Sequence, residues 1–109
     1  MRTKILTGLA ASPGTHVGQA FVAKRPDAVA GRPVGVLVIK TSSMDWLEAI
    51  AGAGAVVTEV GGRTSHAASI CRELGKPCVT AVADVTSIIR SGAWIAVDGG
   101  AGTVTILPA

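Results

Sequence analysis

Short apolar runs, separated by glycines and polar residues, divide this chain into predicted strands and helices. Continuous runs rich in valine and isoleucine over residues 33–40 and 53–59 indicate two buried strands. Residues 19–24 alternate between apolar and polar positions, and residues 78–82 form another short apolar run, so each predicts a further strand. The runs at 94–97 and 103–107 flank a glycine-rich turn, which predicts an antiparallel hairpin.

The pattern changes to a helical period soon after the second buried run. Apolar residues spaced by three and four positions predict a helix from Ser65 or His66 to Leu74; they are Ala67, Ile70, Cys71 and Leu74. Thr64 or Ser65 is expected to cap this helix, and Gly75 with Pro77 to end it. His66 then lies in the first turn, where unpaired N–H groups and the helix dipole favour an anion.

Two further short helices complete the predicted fold. Ser43 is expected to cap a helix over 44–51 that Gly52 closes, and Asp84 to cap one over 85–90. The residues of the first helix expected to face the core are Leu47, Ile50 and Ala51. Residues 8–23 begin as a loop laid against a sheet. Together, these strands and helices predict one α/β domain over residues 1–109, with mixed sheets, short helices and a central helix that starts at His66.

Composition excludes several classes of function. The net charge of +3 comes from scattered Lys and Arg without a basic run, which argues against nucleic acid as a partner. No apolar run approaches the roughly 20 residues that a membrane span needs, so we expect a soluble, cytoplasmic protein that does not bind a membrane. Two cysteines are too few for a disulfide scaffold or a metal site.

Three side chains outside the helix start have ordinary interpretations. Cys71 and Cys78 are predicted to fill the core, with the alternative that Cys78 forms a small, weakly polar wall near the site. His16 has neither a helix terminus nor a partner acid beside it in the sequence, which favours a surface or strand-entry position. His66 is therefore the one candidate for chemistry.

A histidine in a first helical turn can be a structural cap, a general base or a nucleophile that carries a phosphoryl group. Gly61 and Gly62 let a bulky donor approach the backbone, while Thr64, Ser65 and the helix N–H groups can hold anionic oxygens. A base would also need a bound substrate and an orienting acid, which the sequence does not clearly offer. These residues favour the nucleophile, which must attack as a neutral imidazole.

The string Gly-Gly-Arg-Thr-Ser-His-Ala-Ala at 61–68, continued by Arg-Glu-Leu-Gly-Lys-Pro-Cys-Val at 72–79, resembles the mobile phosphohistidine domain of phosphoenolpyruvate-utilising enzymes. That family includes phosphoenolpyruvate synthase, pyruvate phosphate dikinase and enzyme I of the sugar phosphotransferase system. Ala-Ser-Pro-Gly at 11–14 and Val-Asp-Gly at 97–99 extend the resemblance over nearly the whole chain. Ser69, and a segment 41–46 without proline, depart from the family pattern.

The resemblance implies a swivelling β/β/α fold in which His66 is phosphorylated on Nε2. It implies that Thr64 orients the ring or the phosphate, that Ser65 shapes the pocket, and that the residues around the phosphate are Gly61, Gly62, Arg63 and Ala67. The domain itself would bind no metal and no cofactor.

By the same resemblance, a nucleotide-binding ATP-grasp domain and a phosphoenolpyruvate-binding barrel, as domains or partner subunits, would bind ATP or phosphoenolpyruvate with Mg²⁺. Without them this phosphotransferase component would be inactive. Two alternatives remain open at this stage: a regulatory or interaction module that keeps the fold without phosphotransfer, and a subunit of a small-molecule phosphotransferase complex.

Overall fold

The computed structural model describes residues 3–29 and 32–108. Eight strands and three short α-helices follow one another along the chain. The strands are β1 (Lys4–Thr7), β2 (Leu9–Ser12), β3 (Thr15–Val22), β4 (Val34–Ile39), β5 (Ala53–Thr58), β6 (Cys78–Thr80), β7 (Trp94–Asp98) and β8 (Thr103–Ile106). The helices are α1 (Leu47–Ala51), α2 (His66–Leu74) and α3 (Val85–Ile88), and short 3₁₀ turns cover Pro26–Ala28 and Met44–Trp46. The predicted mixed α/β fold is confirmed.

The strands form one mixed sheet in the order β1-β8-β7-β3-β4-β5-β6-β2. Strand β3 joins its two halves, because Thr15 to Gln19 pair antiparallel with β7 while Ala20 to Val22 pair parallel with β4. Strands β4, β5 and β6 continue in parallel, and the predicted hairpin is the antiparallel pair β7 and β8. The segments after β4 and β5 therefore leave the sheet at the same end, the carboxyl end of the parallel strands. The segment after β5 leads to His66.

Alternation along the strands divides the core between the two faces of the sheet. On β4, Leu37 and Ile39 pack on one side with α1 and α2, whereas Val36 and Val38 pack on the other side with α3 and the β7–β8 hairpin. All four are fully buried. Helix α2 therefore rests on a continuous apolar layer, which fixes it on this face of the sheet.

The helix that precedes β5 differs from its prediction. It is split into the 3₁₀ turn and α1, and Ile50 is buried as expected, but Leu47 is 47% exposed and Ala51 is also exposed. Trp46 and Ala49 face the core instead, and with Ile50 they keep the i, i+3, i+4 spacing of a helix whose buried face differs from the predicted one by one residue. Ser43 occupies the predicted cap position, yet its side chain makes no capping hydrogen bond.

Two strands near the amino terminus were not predicted. Strand β1 pairs with β8 and strand β2 with β6, both antiparallel, so that each forms an edge of the sheet. Strand β2 is a short run of small residues with a shift in its pairing between Ala10 and Ser12. Such a segment has little strand propensity of its own and is ordered by its neighbour.

Candidate functional site

Helix α2 begins at His66, as the sequence predicts. Ser65 adopts an extended backbone at the N-cap, and its Oγ accepts a hydrogen bond from the amide of Ala68 at 3.4 Å. At the other end Gly75 has a left-handed φ of 70°, and its N–H donates to the carbonyl of Cys71. The exposed His66 side chain is therefore held at the first position of a helix that is capped at both ends.

A second hydroxyl reaches the start of α2 from a different part of the chain. Ser42 lies between β4 and the 3₁₀ turn, and its Oγ accepts a hydrogen bond from the amide of Ala67 at 3.0 Å. The sequence analysis missed Ser42. The available signal was the topology, since the segments after two adjacent parallel strands must meet at one edge of the sheet.

The paired glycines before the helix have different roles. Gly61 has a φ of 130°, and a Cβ atom at this position would lie 3.3 Å from Cβ of Ser65. For Gly62, no atom of the described residues lies within 4 Å of the place that a Cβ atom would take. The carbonyl of Gly62 accepts from the amide of Ser65 at 3.2 Å, which closes the turn into the helix. The backbone requires glycine at position 61, whereas position 62 is open.

Two arginines tie this turn to strand β2. Nη1 of Arg72 donates to the carbonyl of Arg63 at 2.7 Å and to that of Ala11 at 2.8 Å. Nε of Arg63 donates to the carbonyl of Ala10 at 3.4 Å. The Arg63 side chain, predicted to lie around a phosphate, thus reaches toward β2, and Arg72 is a structural contributor that the sequence analysis did not single out.

The remaining predicted site residues lie close to His66 in the chain but differ in their surroundings. Thr64 is exposed in the turn, and Ser65 rather than Thr64 supplies the capping hydroxyl. Ala67, which was predicted to lie near a phosphate, is buried, and its amide donates to Ser42. The roles of Thr64 and Ala67 toward a phosphoryl group stay predictions.

Two buried hydroxyls lie at the carboxyl ends of β5 and β6. Thr58 is 1% exposed and Thr80 is 0% exposed, and neither Oγ1 has a hydrogen-bond partner among the described residues. Oγ1 of Thr58 lies 3.7 Å from the place that a Cβ atom of Gly61 would take. The floor under the glycine turn is therefore polar, although it is closed to solvent.

The cysteines are a contacting pair in the core. Cys71 on α2 and Cys78 on β6 are both buried and reduced. The hydrogen bond with Cys71, together with burial, raises the pKa of the Cys78 thiol. The same hydrogen bond lowers the pKa of the Cys71 thiol. Both side chains are closed to solvent, so the core-filling interpretation fits both residues.

The carboxylate of Glu59, the residue directly after β5, is held by Thr86 of α3. Oε1 of Glu59 accepts from the hydroxyl of Thr86 at 2.6 Å and from its amide at 3.2 Å. These hydrogen bonds, mainly the one from the hydroxyl, lower the pKa of Glu59. A neighbouring cavity of about 430 Å³ is lined by Val22, Ala23, Lys24, Lys40, Thr86 and Ser87, none of which belongs to the predicted site.

His16, the second histidine, lies at the other end of the parallel strands. Its ring packs beside Gly54 at the amino end of β5, where a Cβ atom would collide with Nε2. His66 follows the carboxyl end of the same strand, where Thr58 lies about 13 Å from Gly54 along the strand. His16 is half-buried on a strand, as the strand-entry interpretation expects.

Residues 3–29 and 32–108 contain neither a cluster of metal-ligating side chains nor a helix that could span a membrane. No three residues of the His, Cys, Asp or Glu type are grouped so that they could hold a metal ion. In the same part of the chain, no helix has the length and apolar character to cross a membrane.

Comparison with known families decides the classification of this fold and site. The family described as "PEP-utilising enzyme, mobile domain" matches residues 31–102, which include the whole glycine turn and helix α2. The chain belongs to this family. Its glycine turn, hydroxyl caps and exposed His66 are thus features of a mobile domain of phosphoenolpyruvate-utilising enzymes.

Curated relatives place this mobile domain within much longer proteins. The phosphoenolpyruvate synthase of Pyrococcus furiosus is 42% identical over 103 residues, which are 92% of this chain and 12% of that protein. The chain therefore spans about an eighth of the length of the curated relatives it matches first. Those relatives carry further domains in addition to the mobile domain.

Solved structures share the architecture of this mobile domain. The NMR solution structure of Enzyme I is 32% identical with a TM-score of 0.57, over 68% of this chain and 31% of that one. The crystal structure of Thermococcus kodakaraensis aconitase X has a TM-score of 0.73 at 20% identity, over 96% of this chain and 99% of that one. At that identity the second likeness concerns the fold alone.

Proposed function

We propose that this mobile domain is a phosphoryl carrier and that His66 is its phosphorylated residue. His66 accepts a phosphoryl group in the active site of one partner domain or subunit and donates it in another. The observation that carries this proposal is the exposed histidine at the first position of a helix whose next two amides are bound by serine hydroxyls. The dianionic phosphoryl group would be formed at the positive end of that helix.

The transfer leaves the domain chemically unchanged after each cycle. The lone pair of Nε2 attacks phosphorus, the bond between phosphorus and the donor oxygen breaks, and the leaving group keeps the bonding electrons. An acceptor then attacks the same phosphorus atom, and the bond to Nε2 breaks. In this cycle His66 is the nucleophile and then the leaving group, so neutral imidazole is regenerated.

The exposure of His66 fits a carrier better than a complete enzyme. Among residues 3–29 and 32–108, no ion pair joins an acid to the His66 imidazole, and the nearby cavity of about 430 Å³ is lined by other residues. The relatives hold their mobile domain in chains of which it is about an eighth. We infer that nucleotide-binding and phosphoenolpyruvate-binding domains or subunits, loaded with Mg²⁺ and ATP or phosphoenolpyruvate, supply the rest of the reaction.

Transfer from a labelled donor tests the proposal. The chain is incubated with the nucleotide-binding or phosphoenolpyruvate-binding part of a phosphoenolpyruvate synthase and with labelled ATP or phosphoenolpyruvate. Label is expected on the wild-type chain and on His16→Ala, in an acid-labile and base-stable form typical of phosphohistidine, but not on His66→Ala. Label that persists on His66→Ala would refute the role of His66. A wild-type chain that stays unlabelled with every donor would favour a regulatory module.

A further inference from the structure

We propose that Ser42 is a positioning residue for His66, an inference that rests on the phosphoryl-carrier function. Its Oγ accepts the amide of Ala67 at 3.0 Å, a length near the most common value for such bonds. The cap from Ser65, which is adjacent to the helix, is longer at 3.4 Å. The shorter of these two hydroxyl contacts at the start of α2 thus comes from a residue 25 positions away.

The amide that Ser42 holds belongs to the peptide group between His66 and Ala67. Because a peptide group is planar from one Cα atom to the next, a hydrogen bond to this N–H fixes a plane that contains Cα of His66. The direction in which the imidazole leaves the backbone depends on that plane. Ser42 therefore restrains the nucleophile without contacting a reacting atom.

The segment that carries Ser42 is itself held on two sides. Backbone pairing continues beyond the ends of β4 and β5, where the amide of Glu59 donates to Ile39 at 3.0 Å and that of Val60 donates to Lys40 at 2.7 Å. After Ser42 the chain is anchored by Trp46, which is buried in the same core cluster as Ala67. Because the backbone around Ser42 is held independently of α2, its hydroxyl can fix the position of the first turn of that helix.

The neighbouring Ser43 provides a matched control. It is exposed, and its side chain makes no capping hydrogen bond, so Ser43→Ala removes a hydroxyl from the same segment without touching α2. Ser42→Thr keeps an acceptor oxygen at the critical position, whereas Ser42→Ala removes it. Ser42→Cys, whose sulfur is a weak acceptor, serves as the second test variant if Ser42→Ala fails to fold.

The experiment measures chemical phosphorylation by phosphoramidate, which needs no partner protein. Nε2 forms the bond to phosphorus, the P–N bond of the reagent breaks, and the released ammonia takes up the proton that the imidazole ring loses. All variants are compared at a temperature at which circular dichroism shows them fully folded. Ser42→Ala is expected to slow phosphorylation of His66 by about tenfold, since small misplacements of reacting groups have effects of that order or larger. The phosphorylation rates of Ser43→Ala and Ser42→Thr should stay within about threefold of the wild-type rate, because neither change is expected to misplace the imidazole.

A second readout does not depend on the chemistry. NMR couplings of His66 should show a single side-chain rotamer in the wild type and in Ser43→Ala, and averaging over rotamers in Ser42→Ala. Equal rates and equal couplings for Ser42→Ala and Ser43→Ala would overturn the role of Ser42. A wild-type chain that acquires no phosphoryl group on His66, with normal couplings, would instead overturn the carrier function.

Discussion

Nη1 of Arg72 donates a hydrogen bond of 2.7 Å to the carbonyl oxygen of Arg63, so helix α2 holds the turn that precedes its own first residue. The same nitrogen reaches the carbonyl of Ala11 on β2 at 2.8 Å. One guanidinium thus joins three segments around His66: the glycine turn, the helix and the edge strand. This arrangement requires donors that diverge in one plane, which arginine has and lysine lacks.

Removal of the Arg72 side chain should loosen the turn. Arg72→Ala is expected to lower the free energy of unfolding by about 1–2 kcal/mol, because each of the two backbone hydrogen bonds contributes on the order of 1 kcal/mol. Arg72→Lys should recover only part of that loss. Urea denaturation measures the change, and Glu73→Ala, at the exposed next position of the helix, is the control. An Arg72→Ala variant as stable as Glu73→Ala would show that the hydrogen bonds from Arg72 to Arg63 and Ala11 do not stabilise the turn.

The two glycines of the turn should respond differently to alanine. Gly61→Ala places a side chain at a φ of 130° and next to Ser65, and such backbone strain costs about 1–3 kcal/mol. Gly62→Ala enters open space and should change stability by less than about 0.5 kcal/mol. Thermal unfolding of both variants measures the difference. Equal effects of the two substitutions would show that the turn has a different backbone from the one described.

Glu59 should make stability depend on pH in the acid range. Its pKa is lowered by the hydrogen bonds from Thr86, so its contribution is fully present above the ordinary glutamate value of about 4.3 and is lost as the pH falls through the lowered pKa. Wild type should therefore be more stable than Glu59→Gln at neutral pH, and the difference should shrink below about pH 4. Chemical denaturation across this range measures it.

The control for this pH effect is Glu48→Gln, which removes one negative charge from the exposed surface of α1. A difference between wild type and Glu59→Gln that stays constant on acidification, or one that Glu48→Gln reproduces, would show that the contact with Thr86 is not its source.

The buried hydroxyl of Thr80 is expected to destabilise the isolated domain. It has no partner among the described residues, so Thr80→Val, which keeps the shape and removes the polar group, should raise the free energy of unfolding by about 1 kcal/mol. Thr86→Val should have the opposite sign, because its hydroxyl donates to Glu59 at 2.6 Å. Calorimetry of the two variants tests this contrast. Destabilisation by Thr80→Val would mean that the hydroxyl has a partner, such as a buried water.

Elements with a strong local pattern could be predicted from the sequence. Helix α2 begins and ends where its caps indicate, and β4 and β5 occupy the predicted apolar runs within one residue at each end. Strand β2 could not be predicted, because a run of small residues becomes a strand only through its pairing with β6. Leu74 is one of the apolar residues whose spacing predicts the helix, yet it is 48% exposed, since the buried face of α2 consists of Ala67, Ala68 and Cys71.

In the candidate site, too, the features set by neighbouring residues could be predicted from the sequence, and those set by tertiary contacts could not. The position of His66 and its cap by Ser65 follow from neighbouring residues in the chain, which a sequence pattern can reveal. The contacts made by Ser42 and Arg72 bridge distant segments, so they depend on which strands are adjacent in the sheet. Tertiary neighbours of this kind become visible only when the fold is known.

Mapping of phosphohistidine after treatment of the chain with phosphoramidate tests directly whether His66 is the residue that carries the phosphoryl group. The chain has two histidines, so wild type, His66→Ala and His16→Ala form a complete set. Mass spectrometry under alkaline conditions counts the phosphoryl groups and NMR identifies the modified ring nitrogen. One phosphoryl group is expected on Nε2 of His66 in wild type and in His16→Ala, and none on His66→Ala. Modification of His16 in preference to His66, or equal modification of the His66→Ala variant, would contradict this expectation.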